Sequence, residues 1–140
     1  MSPAEARRRF AAARVARLAT AGADGAPHVV PIVFAVARSG ARDLIYSVVD
    51  AKPKRTTALR RLANVAANPA VSVLVDHYEE DWGALWWARA DGVARVLGDD
   101  DASERERALA LLAGRYPQQR AVGAVLAIEV GRWSGWSARG

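Results

Sequence analysis

Three apolar, β-branched runs follow one another between Val15 and Val48 with only turn residues between them. They are Val15 to Thr20, His28 to Ala37 and Asp43 to Val48. The joins are short and dense in turn formers: Ala21-Gly22-Ala23-Asp24-Gly25-Ala26-Pro27, then Ser39-Gly40. Strands joined this way pair antiparallel, because a parallel pair needs a crossover of roughly a dozen residues or more. This order excludes a doubly wound parallel sheet, in which strands and helices alternate. The expectation is an antiparallel sheet or small barrel with peripheral helices, in one continuous domain over residues 1–140.

Helices fill the gaps. Ser2-Pro3-Ala4-Glu5 reads as a helix start, with Ser as N-cap, Pro at the first helical position and Glu three residues after the cap, and the helix runs to about Ala13. A second helix begins near Thr56 or Thr57 with Leu59, Leu62, Ala63 and Ala66 as its apolar stripe, and Asn68-Pro69 ends it. Val71 to Val75 is another strand, followed by the acidic loop 76–83. Leu85 to Ala90 and Val93 to Leu97 flank Asp91-Gly92, which signals a hairpin, although a bulge in one long strand would use Gly92 equally well. Ala102 to Arg115 is a third helix with Leu109 and Leu112 inward and Ser103/Glu106 as a capping box; Asp99 to Asp101 complement its dipole. Val122 to Val130 closes the sheet, with Trp133 and Trp136 on a Gly/Ser tail. The run from His28 to Ala37 suits a strand covered on both faces. Its Pro31 belongs at an edge or a bulge.

Composition narrows the chemistry. The chain has 140 residues and no cysteine, so disulfides, thiolate metal sites and a cysteine nucleophile are excluded. No apolar run approaches the roughly 20 residues that span a bilayer. The first nine residues lack the apolar core of a signal peptide, so a cytoplasmic protein is expected. Net charge is +5, but of the 20 basic residues only Lys52 and Lys54 are lysine. Against that arginine-rich, alanine-rich background the two lysines are the informative cations. No Gly-x-Gly-x-x-Gly, Walker loop or Gly-x-Ser-x-Gly elbow is present. Asp76-His77 reads as an ordinary loop pair before it reads as metal ligands, and no metal site is expected. Any catalysis then draws its reactivity from a bound cofactor.

Three segments have the makings of a cofactor site. Ser47, Lys52, Lys54, Arg55, Thr56 and Thr57 lie between a strand and a helix start. Free backbone N–H groups and cationic side chains there suit a phosphate or a polycarboxylate; the bland alternative is a solvated basic loop. The Pro-broken strand His28-Val29-Val30-Pro31-Ile32-Val33 leaves backbone polar groups for a flat heterocycle, or is simply an edge strand packed on the core. Trp86 and Trp87 are adjacent on a strand and face opposite ways, so one of them covers a pocket or a partner chain.

In order and spacing, these segments resemble one family over about residues 10 to 135. The matching pieces are Ala16-Arg17-Leu18-Ala19-Thr20, Pro27 to Pro31, Tyr46-Ser47, Asp50 to Arg55, Asn68-Pro69, Val75 to Tyr78, Asp81-Trp82 and Leu85-Trp86-Trp87. The family is the pyridoxamine-phosphate-oxidase-like split β-barrels, and the closest branch is the actinobacterial one associated with the deazaflavin coenzyme F420. The resemblance implies a mainly β, α+β fold: a six- to seven-stranded antiparallel split β-barrel of the FMN-binding type. It also implies a homodimer with cofactor sites at the subunit interface. His28, Val29, Val30, Pro31, Ile32 and Val33 would lie along the tricyclic ring. Tyr46, Ser47, Lys52, Lys54, Arg55 and Thr56 would hold the phosphate and acidic tail, and the region of Trp82 to Trp87, with Trp87 nearest, would close the site. The implied activity is hydride transfer from reduced F420 to a small, planar, unsaturated substrate, with no catalytic side chain required. His28 fits either a proton donor near the ring or a residue that positions the backbone.

Rival readings remain. FMN in the same fold, as an oxidase or reductase, would use the same phosphate site, although three cations suit the extra charge of the F420 tail. A non-catalytic carrier of F420, flavin or a haem-like ligand would bind without turnover. Nucleic-acid binding through Arg7, Arg8, Arg9, Arg14 and Arg17, of which residues 7, 14 and 17 share a face, is opposed by Glu79-Glu80-Asp81. Neither nucleic acid nor membrane is the expected partner.

Overall fold

The structure, a computed structural model, describes residues 1–50, 56–119 and 123–140. Its elements are α1 (Pro3–Ala12), β1 (Ala16–Ala21), β2 (Pro27–Ile32), β3 (Ala35–Ser39), β4 (Arg42–Asp50), α2 (Thr56–Ala67), β5 (Ala70–His77), β6 (Trp86–Val96), α3 (Ala102–Arg115) and β7 (Gly123–Ser137). The strands form one seven-stranded sheet in the order β2-β1-β5-β6-β7-β4-β3. Each neighbouring pair is antiparallel. The fold is therefore mainly β with three helices, as the succession of short-turned runs requires.

Covalent geometry makes this sheet a barrel. β2 and β3 lie at opposite edges, yet only Val33 and Phe34 separate Ile32 from Ala35. Three Cα steps span at most about 11 Å, so the sheet must curl until its edges meet at this corner. Its interior holds Leu18, Ile45, Val73, Val75, Leu126 and Ile128, all fully buried. α1 plugs one mouth. Its N-cap Ser2 accepts the Glu5 N–H at 3.1 Å, and its buried Phe10 packs on Phe34 and Trp133 with ring centroids 4.9 and 5.1 Å apart. α2 covers the other mouth and sends Val65 into the same core. α3 lies outside the barrel, burying Ala108 and Leu112 over Leu44, Tyr46 and Val48 of β4 in a second core.

Several expectations are corrected. The run from His28 to Ala37 is two strands, because the corner at 33–34 breaks it. β2 alternates buried and exposed residues instead of being covered on both faces, with Val29 60% exposed. Of the two readings of Asp91-Gly92, the bulge is the one that forms, within the single strand β6, where the register against β7 slips. A Cβ on Gly92 would lie 2.2 Å from the Glu129 carbonyl oxygen, so only glycine lets β7 pass this closely. The stripe assigned to α2 faces outward: Leu59 is 62% exposed and Ala63 and Ala66 are exposed, while Asn64 and Val65 are buried and Leu62 packs beside them. The Ser103/Glu106 box does not form. Instead Asp101 accepts the Gly98 N–H at 2.9 Å in a short 3-10 turn ahead of α3, and Ser103 accepts from Arg107. Trp133 and Trp136 belong to β7 itself, opposite Ala90 and Trp87. Pro31 does sit on an edge strand, since β2 pairs with β1 alone. No helix among the described residues is long and apolar enough to cross a membrane.

Candidate functional site

β2 presents two faces. Val30 and Ile32 point into the barrel and are buried, with His28 half-buried on the same side. Val29 and Pro31 point outward and are exposed. Proline is tolerated where the missing N–H would face away from the neighbouring strand. With Pro27 and Pro31 at that parity, the Val29 N–H faces the open edge too. A shallow cavity of about 400 Å³ lies on the outer face over β1, β5 and β6, against Ala19, Ala21, Ser72 and Asp91, and touches β2 only at Pro27. Trp87 shares this outer face with its cross-strand neighbour Trp136, which is 48% exposed, and the Arg89 guanidinium stands over the Trp87 ring at 5.6 Å. Trp86 faces inward against the core, as strand alternation requires.

At the corner end of β2 the Val33 carbonyl and both backbone groups of Phe34 are bonded by side chains. Ser47 lies inside the barrel, 1% exposed, and its hydroxyl donates to the Val33 carbonyl at 2.9 Å. Arg115 donates to the Phe34 carbonyl at 2.7 Å and to the Ala13 carbonyl. The Tyr116 hydroxyl accepts from the Phe34 N–H at 3.4 Å and lies 3.0 Å from the carbonyl oxygens of both Phe34 and Arg14. Val33 packs against the second core. Tyr46 alternates to the other side of β4, beneath α3, where its hydroxyl donates to Glu104 at 2.7 Å. Burial and the adjacent carboxylate push the Tyr46 phenol up to about 12. Burial raises the Glu104 carboxyl, but hydrogen bonds from Arg95 and Tyr46 outweigh it and hold the group below its usual range. Tyr46 and Ser47 thus point apart and both are engaged within the fold.

The opposite end of β2 differs. The Asn64 side chain of α2 donates to the buried Thr20 hydroxyl at 3.1 Å. It packs so close to Gly22 that a Cβ there would lie 2.9 Å from its amide oxygen. Beside Thr20 in register stands His28, whose Nδ1 is buried with no hydrogen-bond partner among the described residues. Arg61, on the Asn64 face of α2, has a buried Nε that is likewise unpartnered. Burial lowers the pKa of His28, and the charges of Arg60 and Arg61 lower it further; burial also lowers that of Arg61. His28 thus lies within the field of two guanidinium groups, and two of the nitrogens here, His28 Nδ1 and Arg61 Nε, have no partner among the described residues. Lys52, Lys54 and Arg55 lie outside the described residues; Thr56 opens α2. Arg60 and Arg61 escaped the sequence reading. The available signal was that residues 61, 64 and 65 share one helical face, which mixes Arg and Asn with Val.

The other candidate chemistry is accounted for locally. His77 bonds to Glu79 and stacks on Trp86 at 6.3 Å between ring centroids. Among the described residues, no three potential metal-ligating side chains gather. Arg7 pairs with Asp43 at 3.0 Å, Arg9 with Glu5 at 2.7 Å and Arg17 with Asp76 at 3.2 Å. Arg8 also pairs with Glu5, and Arg14 donates to the Arg115 carbonyl. The basic residues near the N-terminus are thus paired within the chain.

A family model described as pyridoxamine 5′-phosphate oxidase matches residues 2–137. No curated protein matches the chain significantly. Among solved structures, a FAD-binding protein from Mesorhizobium loti is similar at 26% identity and a TM-score of 0.69, over 96% of this chain and 94% of that one. A conserved protein of unknown function from Corynebacterium diphtheriae is similar at 20% identity and 0.72, over 96% and 93%. A heme-binding protein from Mycobacterium smegmatis is similar at 24% and 0.59, over 99% of this chain and 59% of that one. The last two likenesses concern the fold alone.

Proposed function

Because the chain belongs to the pyridoxamine 5′-phosphate oxidase family, we propose that it is an oxidoreductase that passes a hydride from reduced coenzyme F420 to a small, planar, unsaturated substrate. The observation that carries this reading is the pair of buried nitrogens without a partner among the described residues, His28 Nδ1 and Arg61 Nε, at one end of β2. A buried polar nitrogen without a partner costs about 1–3 kcal/mol, and a phosphate or carboxylate oxygen that accepts from Arg61 and from the Nδ1–H tautomer of His28 would remove that penalty. Lys52, Lys54 and Arg55 immediately precede α2 in sequence and add cationic charge suited to a phosphate with an acidic tail. The residues therefore fit a tricyclic cofactor carrying phosphate. The cofactor supplies the hydride chemistry. The chain binds and orients: Arg60, Arg61 and His28 hold the anionic end, and the outward side of Val29 and Pro31 offers an apolar edge to a flat ring.

The exposed apolar outer face around Val29, Trp87 and Trp136 supports a homodimer that closes the site. The absence of cysteine fits the cytoplasm. A flavin in the same place is the second reading, favoured by the likeness to a protein that binds FAD.

Fluorescence titration with F420, FMN and FAD separates these. Micromolar or tighter F420 binding, with both flavins at least about tenfold weaker, supports the deazaflavin reading. The reverse preference moves the protein to flavin chemistry, and binding of none removes the cofactor function. Unchanged affinity in both Lys52→Ala and Lys54→Ala would take the segment before α2 out of the site.

A further inference from the structure

A second cavity lies away from β2, between the edge strand β3, β4 and the outer side of α3. It measures about 560 Å³, within the roughly 300–1,000 Å³ typical of small-molecule sites. Ala37 and Leu44 form one wall and Ala110 and Leu111 the other. Leu111 is 43% exposed. The Tyr46 hydroxyl on the floor is committed to Glu104, and Glu104 is neutralised by Arg95 at 2.6 Å. The polar capacity sits with Arg107, beside Ser39.

Arg107, on α3, makes its one side-chain bond among the described residues to the neutral Ser103 hydroxyl, at 3.1 Å. That leaves most of its five donors for a ligand. Arg38 borders the cavity but pairs with Asp43 on the barrel side of the sheet, where its Nε contacts that carboxylate at 3.1 Å. Ala37 and Ser39 are the β3 residues that alternate toward α3. An apolar trough with one such guanidinium and no carboxylate among its lining residues is complementary to one kind of small molecule.

We propose that the cavity between β3 and α3 binds an amphipathic monocarboxylate. The carboxylate sits on Arg107, and the alkyl body lies along Leu44, Ala110 and Leu111. This site is independent of the cofactor reading.

Calorimetric titration with decanoate tests it, with decanol as the same tail without charge and acetate as the same head without tail. Saturable decanoate binding is expected, at least about tenfold tighter than either control. Arg107→Gln should weaken it about tenfold, and Leu111→Asp should abolish it. Both positions are exposed, so each variant should melt with the parent, which a thermal scan checks before titration. Decanoate binding that does not saturate, that decanol equals, or that survives both substitutions unchanged overturns the proposal. The readout needs no cofactor, so its failure leaves the F420 and flavin titrations unaffected, and theirs leaves it unaffected.

Discussion

The two ends of β2 are built on opposite principles. At the corner, Val33 and Phe34 leave the sheet, and side chains from β4 and the end of α3 bond their free backbone groups. At the start of the strand, His28 and Arg61 keep buried nitrogens that no described residue satisfies. Folded chains seldom leave such groups without a reason. The difference separates the end that holds the barrel shut from the end proposed to hold a ligand.

The largest expected effect tests the closed end. Arg115→Met removes two charge-assisted bonds, to the carbonyls of Phe34 and Ala13, and should lower stability by about 3 kcal/mol, read from a urea unfolding midpoint. A loss below about 1 kcal/mol would mean that the corner is held by something else. Cofactor affinity of the folded protein should not change.

Arg61→Met should show the reverse pattern. Removing a half-buried guanidinium with an unpartnered nitrogen leaves stability unchanged or higher, while cofactor affinity falls about tenfold, or 1.4 kcal/mol. If it instead destabilised the fold as Arg115→Met does, the contrast between the ends would disappear. Ser47→Ala sharpens the comparison from within the proposed site residues. It should cost about 1 kcal/mol, because the Val33 carbonyl loses its bond, and should leave affinity untouched in the same titration.

The smallest effect is in pH. His28 is harder to protonate in the folded protein than its ordinary value of 6.5, so the unfolded chain takes up the proton first as pH falls. Stability of the cofactor-free protein should be full above about that value and decline below it, and His28→Gln should remove this part of the slope in melting temperature. The carboxylates of Asp43 and Glu104 are separable. Burial raises each, but the hydrogen bonds they accept outweigh it and leave both below the usual range. Their contribution is therefore present above that range and lost only at lower pH. An anion bound beside Arg60 and Arg61 should raise the His28 pKa and flatten its slope.

α2 shows where sequence reasoning stops. Leu59, Ala63 and Ala66 repeat at helical spacing, and spacing alone makes them the buried stripe. The helix instead buries Asn64 and Val65, because it covers a barrel mouth where Thr20 needs a hydrogen-bond partner. Asp91-Gly92 carries the same lesson: the dipeptide announces an irregularity, but whether the chain reverses or merely bulges depends on β7 passing 2.2 Å from the place a Cβ would take.

The sequence by itself determined the strands, the antiparallel succession, the edge proline, the cap at Ser2 and the family, because all of these rest on local propensity, spacing and order. Only the tertiary structure decided which residues meet. It parted Tyr46 from Ser47 across one strand, brought Arg60 and Arg61 to His28, and tied the corner at 33–34 to Arg115 and Tyr116, some 81 residues away. The physical reason is that a strand's two faces and a barrel's two ends are fixed by closure of the whole sheet, and closure is a property of distant segments together that no local stretch of chain encodes.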